Sequence, residues 1–443
     1  MKGVIVAGAG SGVGKTAIAT GLMARLSRAY KVQAFKAGPD FIDPMYHSAA
    51  TGRPSRNLDS FLMDDDVIRN LVGYASAGAD LCVIEGVRGL YEGLTGDGDI
   101  GSTAHLAKLL GFPVVLVIDA RSLTRSAAAI VNGFKAFDPQ VDIAGVILNR
   151  VSGRQHAGKL EVAMERYTDV RVVGMVPKHD GGLPEQRRIG LETPSSLRSG
   201  TVPTLAGLAD PIDLDAFMGI AERCDAELPD DPPYVRRDSG LVAAVPVDEA
   251  YCFHYRENIE CLEASGVRVR TFSPVAGDRL PDADIHYLGG GFPELHAEAI
   301  ADNRDFLEGL KNAADGGAPV LGECGGMLTM CGGLTAADGT RHRMAGIFDA
   351  EAAVGEVRNG PSYIRAEALP GNPLASGAVR GHTYHYTRVA PAADVGFGFR
   401  VLRGKGLFGD RDGMCAGNAL GTYMYRHALS EGDWAAGLVG RVS

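Results

Sequence analysis

Lys15 and Thr16 close a loop containing Gly8, Gly10, Gly12 and Gly14, and they open an apolar stretch of helical period. A lysine and a hydroxyl at the end of such a loop are the residue types that hold nucleoside triphosphate. Backbone N–H groups of Gly10, Gly12 and Gly14 cradle phosphate oxygens, Lys15 adds charge at the β/γ position, and the Thr16 hydroxyl ligates Mg²⁺. A second chemical centre lies at Gly322-Glu323-Cys324-Gly325-Gly326, between a β-type run and a helical pattern. A cysteine at a sharp strand-to-helix turn has the setting of a nucleophile elbow. The helix N-terminus favours the thiolate, the Gly325 N–H faces a developing oxyanion, and the glycines that follow another strand, Gly290 and Gly291 among them, offer a second donor. Spacing does not choose a base among His254, His286, His296, His342, His382, His385 and His427.

The elements that must position these groups are short buried strands. Val4 to Val6 reads as the strand before the phosphate loop, and the helix after Thr16 should end near Tyr30. Val32 to Phe35 is the next strand. Gly38-Pro39 and Asp43-Pro44 read as turns that leave Asp40, Asp43, Tyr46 and His47 on a loop at a strand end, where open α/β sheets bind ligands. Leu81 to Gly86 is a strand ending in Glu85. A carboxylate at that tip beside a phosphate loop is the expected second anchor for Mg²⁺, with Asp40 as a further candidate. Asp43, Tyr46, His47, Arg53, Arg56, Asn57 and Arg88 are candidates for an anionic substrate, the arginines by their affinity for carboxylate and phosphate. Asn149, at the end of the strand Ile143 to Val151, is placed to read an adenine edge.

Strand and helix patterns alternate from residue 1 to about 228, which reads as a parallel sheet with helices on both faces. The proline- and charge-rich stretch 229–239 reads as a linker, and a second α/β pattern fills 240–443. At 443 residues the chain is long enough for two cores. A net charge of −10 argues against a nucleic-acid surface, and no apolar run approaches a membrane span. Seven scattered cysteines without a C-x-x-C pair suggest reduced thiols in a cytoplasmic protein.

The phosphate loop departs from the strict pattern, with Ala9 where the outer glycine is usual, and its longer spacing resembles that of dethiobiotin synthetase-like ATPases. AGSGVGKT, FKAGPDFIDPMYH, GRPSRNLD, IEGVRGLYEG, RSAAAIVNGF, AGVILNR, YLGGGFPE, GECGG and RGHTYHYT stand in the order found in the cobyrinate a,c-diamide synthase family. The resemblance covers nearly the whole chain. It implies an ATP- and Mg²⁺-dependent amidoligase domain, dethiobiotin synthetase-like, fused to a class I-type glutamine amidotransferase domain. It implies L-glutamine and an anionic tetrapyrrole as substrates, with a homodimer left open. Cys324 is then the glutaminase nucleophile. His427 is its base, from GNALGTYMYRHA matching the family's G-N-x-x-x-S-Y-x-H-x-H, although Tyr425 replaces the first histidine and Thr422 the serine. Arg88, Glu92 and the stretch Leu402 to Gly413 resemble the branch that amidates Ni-sirohydrochlorin for coenzyme F430, rather than cobyrinate or hydrogenobyrinate for cobalamin. From a different class, a switch ATPase with a docking module would make Cys324 a structural residue. Cobyric acid synthases, which amidate other side chains, are a further relative.

Overall fold

The structure is a computed structural model. It describes residues 1–179, 200–224, 226–392 and 394–442, with only the backbone of 356–361. The chain divides into two compact units, Met1–Pro233 and Tyr234–Ser443. The first alternates in order: β1 (Gly3–Gly8), α1 (Lys15–Leu26), β2 (Val32–Ala37), α2 (Ile42–Thr51), β3 (Arg56–Leu58), α3 (Asp65–Ala75), β4 (Leu81–Glu85) and α4 (Thr103–Leu110). It continues with β5 (Val114–Asp119), α5 (Arg125–Phe137), β6 (Ile143–Val151), α6 (Arg154–Tyr167), β7 (Arg171–Pro177), α7 (Thr201–Leu208) and α8 (Leu214–Ala221). The strands pair in parallel in the order β3-β2-β4-β1-β5-β6-β7. β1, β2 and β4 are buried along their whole length, as strands covered on both faces must be, and their runs are accordingly apolar rather than alternating.

One local expectation fails. Asp43, Tyr46 and His47 lie on helix α2, not on a loop. Pro44 stands in the first turn of that helix, where its missing N–H has no intrahelical partner to lose. Of the helical pattern expected up to Glu227, residues 180–199 lie outside the described residues.

The second unit comprises β8 (Val242–Pro246), α9 (Arg256–Ala264), β9 (Arg268–Phe272), β10 (Ile285–Leu288), α10 (Ala297–Asp302), α11 (Arg304–Asp315), β11 (Val320–Glu323) and α12 (Gly325–Met330). Then follow β12 (Gly333–Thr335), β13 (Arg341–Arg343), β14 (Ala350–Ala368), β15 (Ala378–Pro391), β16 (Gly396–Arg403), β17 (Arg411–Ala416), β18 (Ala419–Thr422), β19 (Tyr425–Arg426) and α13 (Ala436–Val439). Parallel strands β9-β8-β10-β11-β18 form one half of its sheet, and β17, β16, β14 and β15 extend it in antiparallel fashion. Its core includes Leu262, Tyr287, Leu321, Phe399, Leu420 and Trp434.

Candidate functional sites

In the first unit, β1 ends at Gly8 and the chain turns through Gly12 and Gly14 into α1. Gly14 has φ 90°, a left-handed conformation that favours glycine, and a Cβ there would stand 2.3 Å from Asn149 Nδ2. That contact shows what Asn149 does. Its amide donates to the Val13 carbonyl (2.8 Å) and its Oδ1 accepts the Arg150 N–H (2.9 Å). Asn149 therefore ties the end of β6 to the phosphate loop.

Sheet register assembles the charges. Glu85, at the tip of β4, lies level with Val6 of β1 and Lys36 of β2. Thr16 Oγ1 donates to Glu85 Oε1 (2.6 Å) and lies 3.3 Å from Asp43 Oδ2. Lys36 Nζ bridges Asp43 Oδ2 (2.8 Å) and Glu85 Oε1 (3.1 Å), and also reaches the Gly86 carbonyl. His47 Nε2 sits 2.8 Å from Glu85 Oε2. Burial pushes the Glu85 carboxyl up, but Lys36, His47 and Lys15 outweigh it and hold it well below the usual range. Burial likewise pulls Lys36 down, and Asp43 and Glu85 more than reverse this, so Lys36 stays charged. Lys15 is lowered, first by burial and then by Lys36; its Nζ lies 3.3 Å from the Arg88 carbonyl.

Several expectations are corrected here. Asp40 is a turn cap: its Oδ1 accepts the N–H groups of Ile42 and Asp43, and the carboxylate that joins Thr16 and Glu85 is Asp43. His47 is fully buried, with Nε2 against Glu85. Asn57 holds the Gly38 and Asp40 carbonyls, Tyr46 is a core residue, and Arg56 is buried over the Tyr74 ring. Arg53 bonds Gln33 and the Ala75 and Ala77 carbonyls near the C-terminus of α3. Arg88 alone of the proposed arginines is exposed; it has φ 47°, and its guanidinium lies 3.5 Å from the Gly101 carbonyl. Lys36 was missed, although a lysine within the apolar strand Val32–Ala37 is its own signal that a buried partner exists.

Thr16, Asp43 and Glu85 form a hard oxygen donor set suited to Mg²⁺. Among the described residues no group of three or more His, Cys, Asp or Glu side chains forms a cage. Mg²⁺ held by one or two carboxylates plus a nucleotide's phosphates needs none.

In the second unit, Cys324 stands between β11 and α12 with φ 46°, a strained conformation for a residue with a Cβ. Its N–H is tied to the Thr422 carbonyl (2.7 Å), and its sulfur lies 4.0 Å from the Tyr384 carbonyl. A Cβ on Gly325 would come within 3.0 Å of the Gly291 nitrogen, so these two backbone segments meet. Gly290 departs from the expected role: its N–H donates to the Phe253 carbonyl (3.0 Å), and what it provides is space for Tyr425, whose hydroxyl would lie 1.9 Å from a Cβ there.

Tyr425, three residues beyond Thr422, is buried with its hydroxyl against Gly290. His427, expected as the base, is fully buried, accepts the Leu429 N–H through Nδ1 (3.2 Å) and turns Nε2 to Glu257 Oε2 (3.3 Å). The two are linked by a row of rings: His382 stacks on Tyr425 at 5.1 Å, its Nδ1 is 3.2 Å from the Tyr255 hydroxyl, and Tyr255 packs on His427 at 4.6 Å.

Residues 4–183 match the CobQ/CobB/MinD/ParA nucleotide binding domain, and residues 242–433 match the CobB/CobQ-like glutamine amidotransferase domain. The chain is 42% identical to a protein of Methanothermobacter thermautotrophicus named cobyrinate a,c-diamide synthase, with 98% of each chain covered. Proteins of the same name from Methanosphaera stadtmanae (40% identical, 98% and 97% covered) and Methanosarcina acetivorans (38%, 98% and 94%) are similar over the same span.

Proposed function

The chain belongs to the cobyrinate a,c-diamide synthase family of amide-forming ligases, and on that premise we propose that it converts the a and c acetate carboxylates of Ni-sirohydrochlorin into amides with ATP and glutamine. The observation that carries this reading is the pairing, in one chain, of a phosphate loop whose Thr16 is bonded to Glu85 with a cysteine elbow in the other unit.

A carboxylate is a poor electrophile. One oxygen of the acetate attacks the γ-phosphorus, the bond to ADP breaks, and an acyl phosphate results. Lys15 binds the phosphates, and Thr16, Asp43 and Glu85 would hold Mg²⁺, which neutralises charge on the transferring group. Lys36 bridges Asp43 and Glu85 and helps to keep Glu85 ionised. Ammonia then attacks the acyl carbon and phosphate leaves. That ammonia comes from glutamine: the Cys324 sulfur adds to the side-chain amide, ammonia departs, and water cleaves the glutamyl thioester. The N–H groups of Gly325 and Gly291 receive the oxyanion, whereas His427, turned to Leu429 and Glu257 behind the rings of Tyr425, His382 and Tyr255, departs from the expected role of base. Arg88, with an exposed guanidinium near the phosphate loop, pairs with a peripheral carboxylate of the tetrapyrrole.

Arg88 and Glu92 support the nickel substrate, whereas the relatives' name supports cobyrinate as a second reading. The test supplies the purified protein with ATP, glutamine and either tetrapyrrole, and follows conversion of two carboxylates to amides by mass. Turnover of cobyrinate alone would replace the first reading by the second. No amidation of either would overturn both.

A further inference from the structure

We infer that Asp412 and Thr422 form a positioning bracket for the Cys324 nucleophile. Asp412 holds the Thr422 hydroxyl, and the Thr422 carbonyl in turn holds the Cys324 N–H in the strained backbone of the elbow. The inference rests on the reading of Cys324 as the glutaminase nucleophile and adds two positioning residues to that site.

Three strands build the bracket. β11 and β18 pair in parallel, and Glu323 lies level with Thr422 at the last step of that ladder. Cys324 is the next residue, and its N–H donates to the Thr422 carbonyl (2.7 Å). Its own carbonyl accepts the Leu328 N–H of α12 (3.2 Å). Between these two bonds the chain leaves the sheet with φ 46° and ψ −103°. A residue with a Cβ keeps such a backbone only where its surroundings over-determine it. Thr422 is fixed in turn through its side chain: Oγ1 donates to Asp412 Oδ1 (2.6 Å) and accepts the Met424 N–H (2.9 Å). On β17, Asp412 Oδ1 also accepts the Gly413 N–H (2.6 Å). Gly413 has φ 73°, so the backbone beside the carboxylate takes a form that favours glycine.

Burial gives the bracket its meaning, since Asp412 and Thr422 are both fully enclosed. A buried hydroxyl can be satisfied by a backbone carbonyl, whereas a buried carboxylate carries a large desolvation penalty. Burial accordingly pushes the Asp412 carboxyl up, against the Thr422 hydroxyl and the Gly413 N–H. What the carboxylate adds is a shorter and stronger bond than a carbonyl gives. That bond falls on the residue from which the elbow hangs. The serine of the family's pattern and the threonine here share the hydroxyl that the bracket uses. Without that hydroxyl, Asp412 and the Met424 N–H lose a partner, and the elbow is free to relax. The sulfur then shifts relative to the N–H groups of Gly325 and Gly291, and a misplacement of about 1 Å slows chemistry by about a hundredfold. The loss falls on the chemical step, and so on kcat rather than KM.

The experiment measures glutaminase kcat and KM in the full chain for wild type, Thr422→Val, Thr422→Ser, Asp412→Ala and the double variant Thr422→Val/Asp412→Ala. Thr422→Val keeps the shape and removes the hydroxyl. Its kcat falls by about tenfold or more, its KM for glutamine stays within about twofold, and its amidation with ammonium is unchanged. Thr422→Ser keeps the hydroxyl and holds kcat within about threefold of wild type. Asp412 acts through Thr422, so the double variant loses no more than about threefold beyond Thr422→Val alone. An unchanged kcat in Thr422→Val, an equal loss in Thr422→Ser, or losses that multiply in the double variant overturn the inference. Should the Val and Ala variants fail to fold, Asp412→Asn decides. It keeps the shape and weakens the acceptor, so kcat falls by about fivefold at constant KM. A wild-type kcat in Asp412→Asn then overturns the inference equally. Failure of the underlying reading looks different: Cys324→Ala would then keep glutaminase activity, whatever the Thr422 and Asp412 variants show.

Discussion

His47 and Glu85, 38 residues apart in sequence, form a buried pair 2.8 Å long at the tip of β4. His47 takes Oε2, leaving Oε1 to Thr16 and Lys36. Removing the imidazole strands a buried carboxylate oxygen, which costs about 1–3 kcal/mol. His47→Leu should lower the thermal midpoint of the first unit, followed by circular dichroism, and should raise the Mg²⁺ concentration needed for half-maximal ATP-dependent amidation. An unaltered Mg²⁺ requirement would show that His47 supports the fold and leaves the orientation of Glu85 to other groups.

Asp40 and Asp43 can be told apart by the same conservative change. Asp40 accepts two backbone N–H groups, and asparagine caps as well as aspartate does. Asp40→Asn should therefore keep amidation within about threefold of wild type. Asp43 contacts Thr16 and Lys36 with its charge, and Asp43→Asn should reduce kcat by about a hundredfold or more. Initial rates with saturating ATP and either nitrogen source decide it. A large loss in Asp40→Asn would return Asp40 to the metal site.

This pair also shows what sequence could and could not reveal. Strand β1, the glycine turn and the Glu85 tip were legible because each is a local pattern with one reading. Asp43-Pro44 was read as a turn because proline usually ends a helix; here it begins one. Once α2 is a helix, Asp43 and His47 are one turn apart on the same face, and both reach the carboxylate cluster. The roles of Asn149, Asn57 and Arg53 were illegible for a different reason. Their partners are backbone carbonyls far away in sequence, and only the fold says which polar side chains are spent on the chain itself. Tyr425 was visible as a departure from the family pattern, yet its stacking on His382 depends on β15 and β19 pairing.

Cys324→Ala should abolish glutamine-dependent amidation and leave ATP-dependent amidation with concentrated ammonium near the wild-type rate. The nucleophile and the phosphate loop belong to separate units, each with its own core. The check is product formation with each nitrogen donor, with unaltered Trp434 fluorescence as evidence of folding. Equal loss with both donors in a folded variant would break the division of labour between the units.

His286 offers a pH test that does not involve catalysis. Its ring is buried with neither nitrogen bonded, and burial pulls it down to about 4. The unfolded chain therefore takes up a proton near pH 6.5 that the folded chain refuses until about pH 4. Stability is lost through His286 as pH falls through this window, by about 1.4 kcal/mol per pH unit at full slope. Glu294 and Glu323, both raised by burial to about 7, act in the opposite sense between pH 7 and their unfolded value, and they are common to wild type and variant. His286→Leu should thus gain stability relative to wild type on going from pH 7 to pH 5. Trp434, the single tryptophan of the chain, is buried in the second unit and reports its denaturant midpoint directly. A pH-independent difference between the two proteins would mean that His286 protonates in the folded state as readily as in the unfolded one.

Arg88 and Arg53 give the sharpest test of substrate binding, because the two arginines have opposite surroundings. Arg53 is tied to Gln33 and to two carbonyls at the end of α3, so Arg53→Met should lower stability and leave the tetrapyrrole KM of the folded fraction unchanged. Arg88 is exposed, its backbone carbonyl meets Lys15, and its guanidinium meets the Gly101 carbonyl at the limit of hydrogen-bond length. A guanidinium so placed exchanges that weak contact for a carboxylate at little cost. Losing a charged hydrogen-bonded pair costs about 1.5–3 kcal/mol, which is about ten- to a hundredfold in affinity. Arg88→Met should therefore raise the tetrapyrrole KM by that factor while the constants for ATP and glutamine stay within about twofold. An unchanged tetrapyrrole constant would assign Arg88 to the loop around Gly101 and remove one reason for preferring the nickel substrate over cobyrinate.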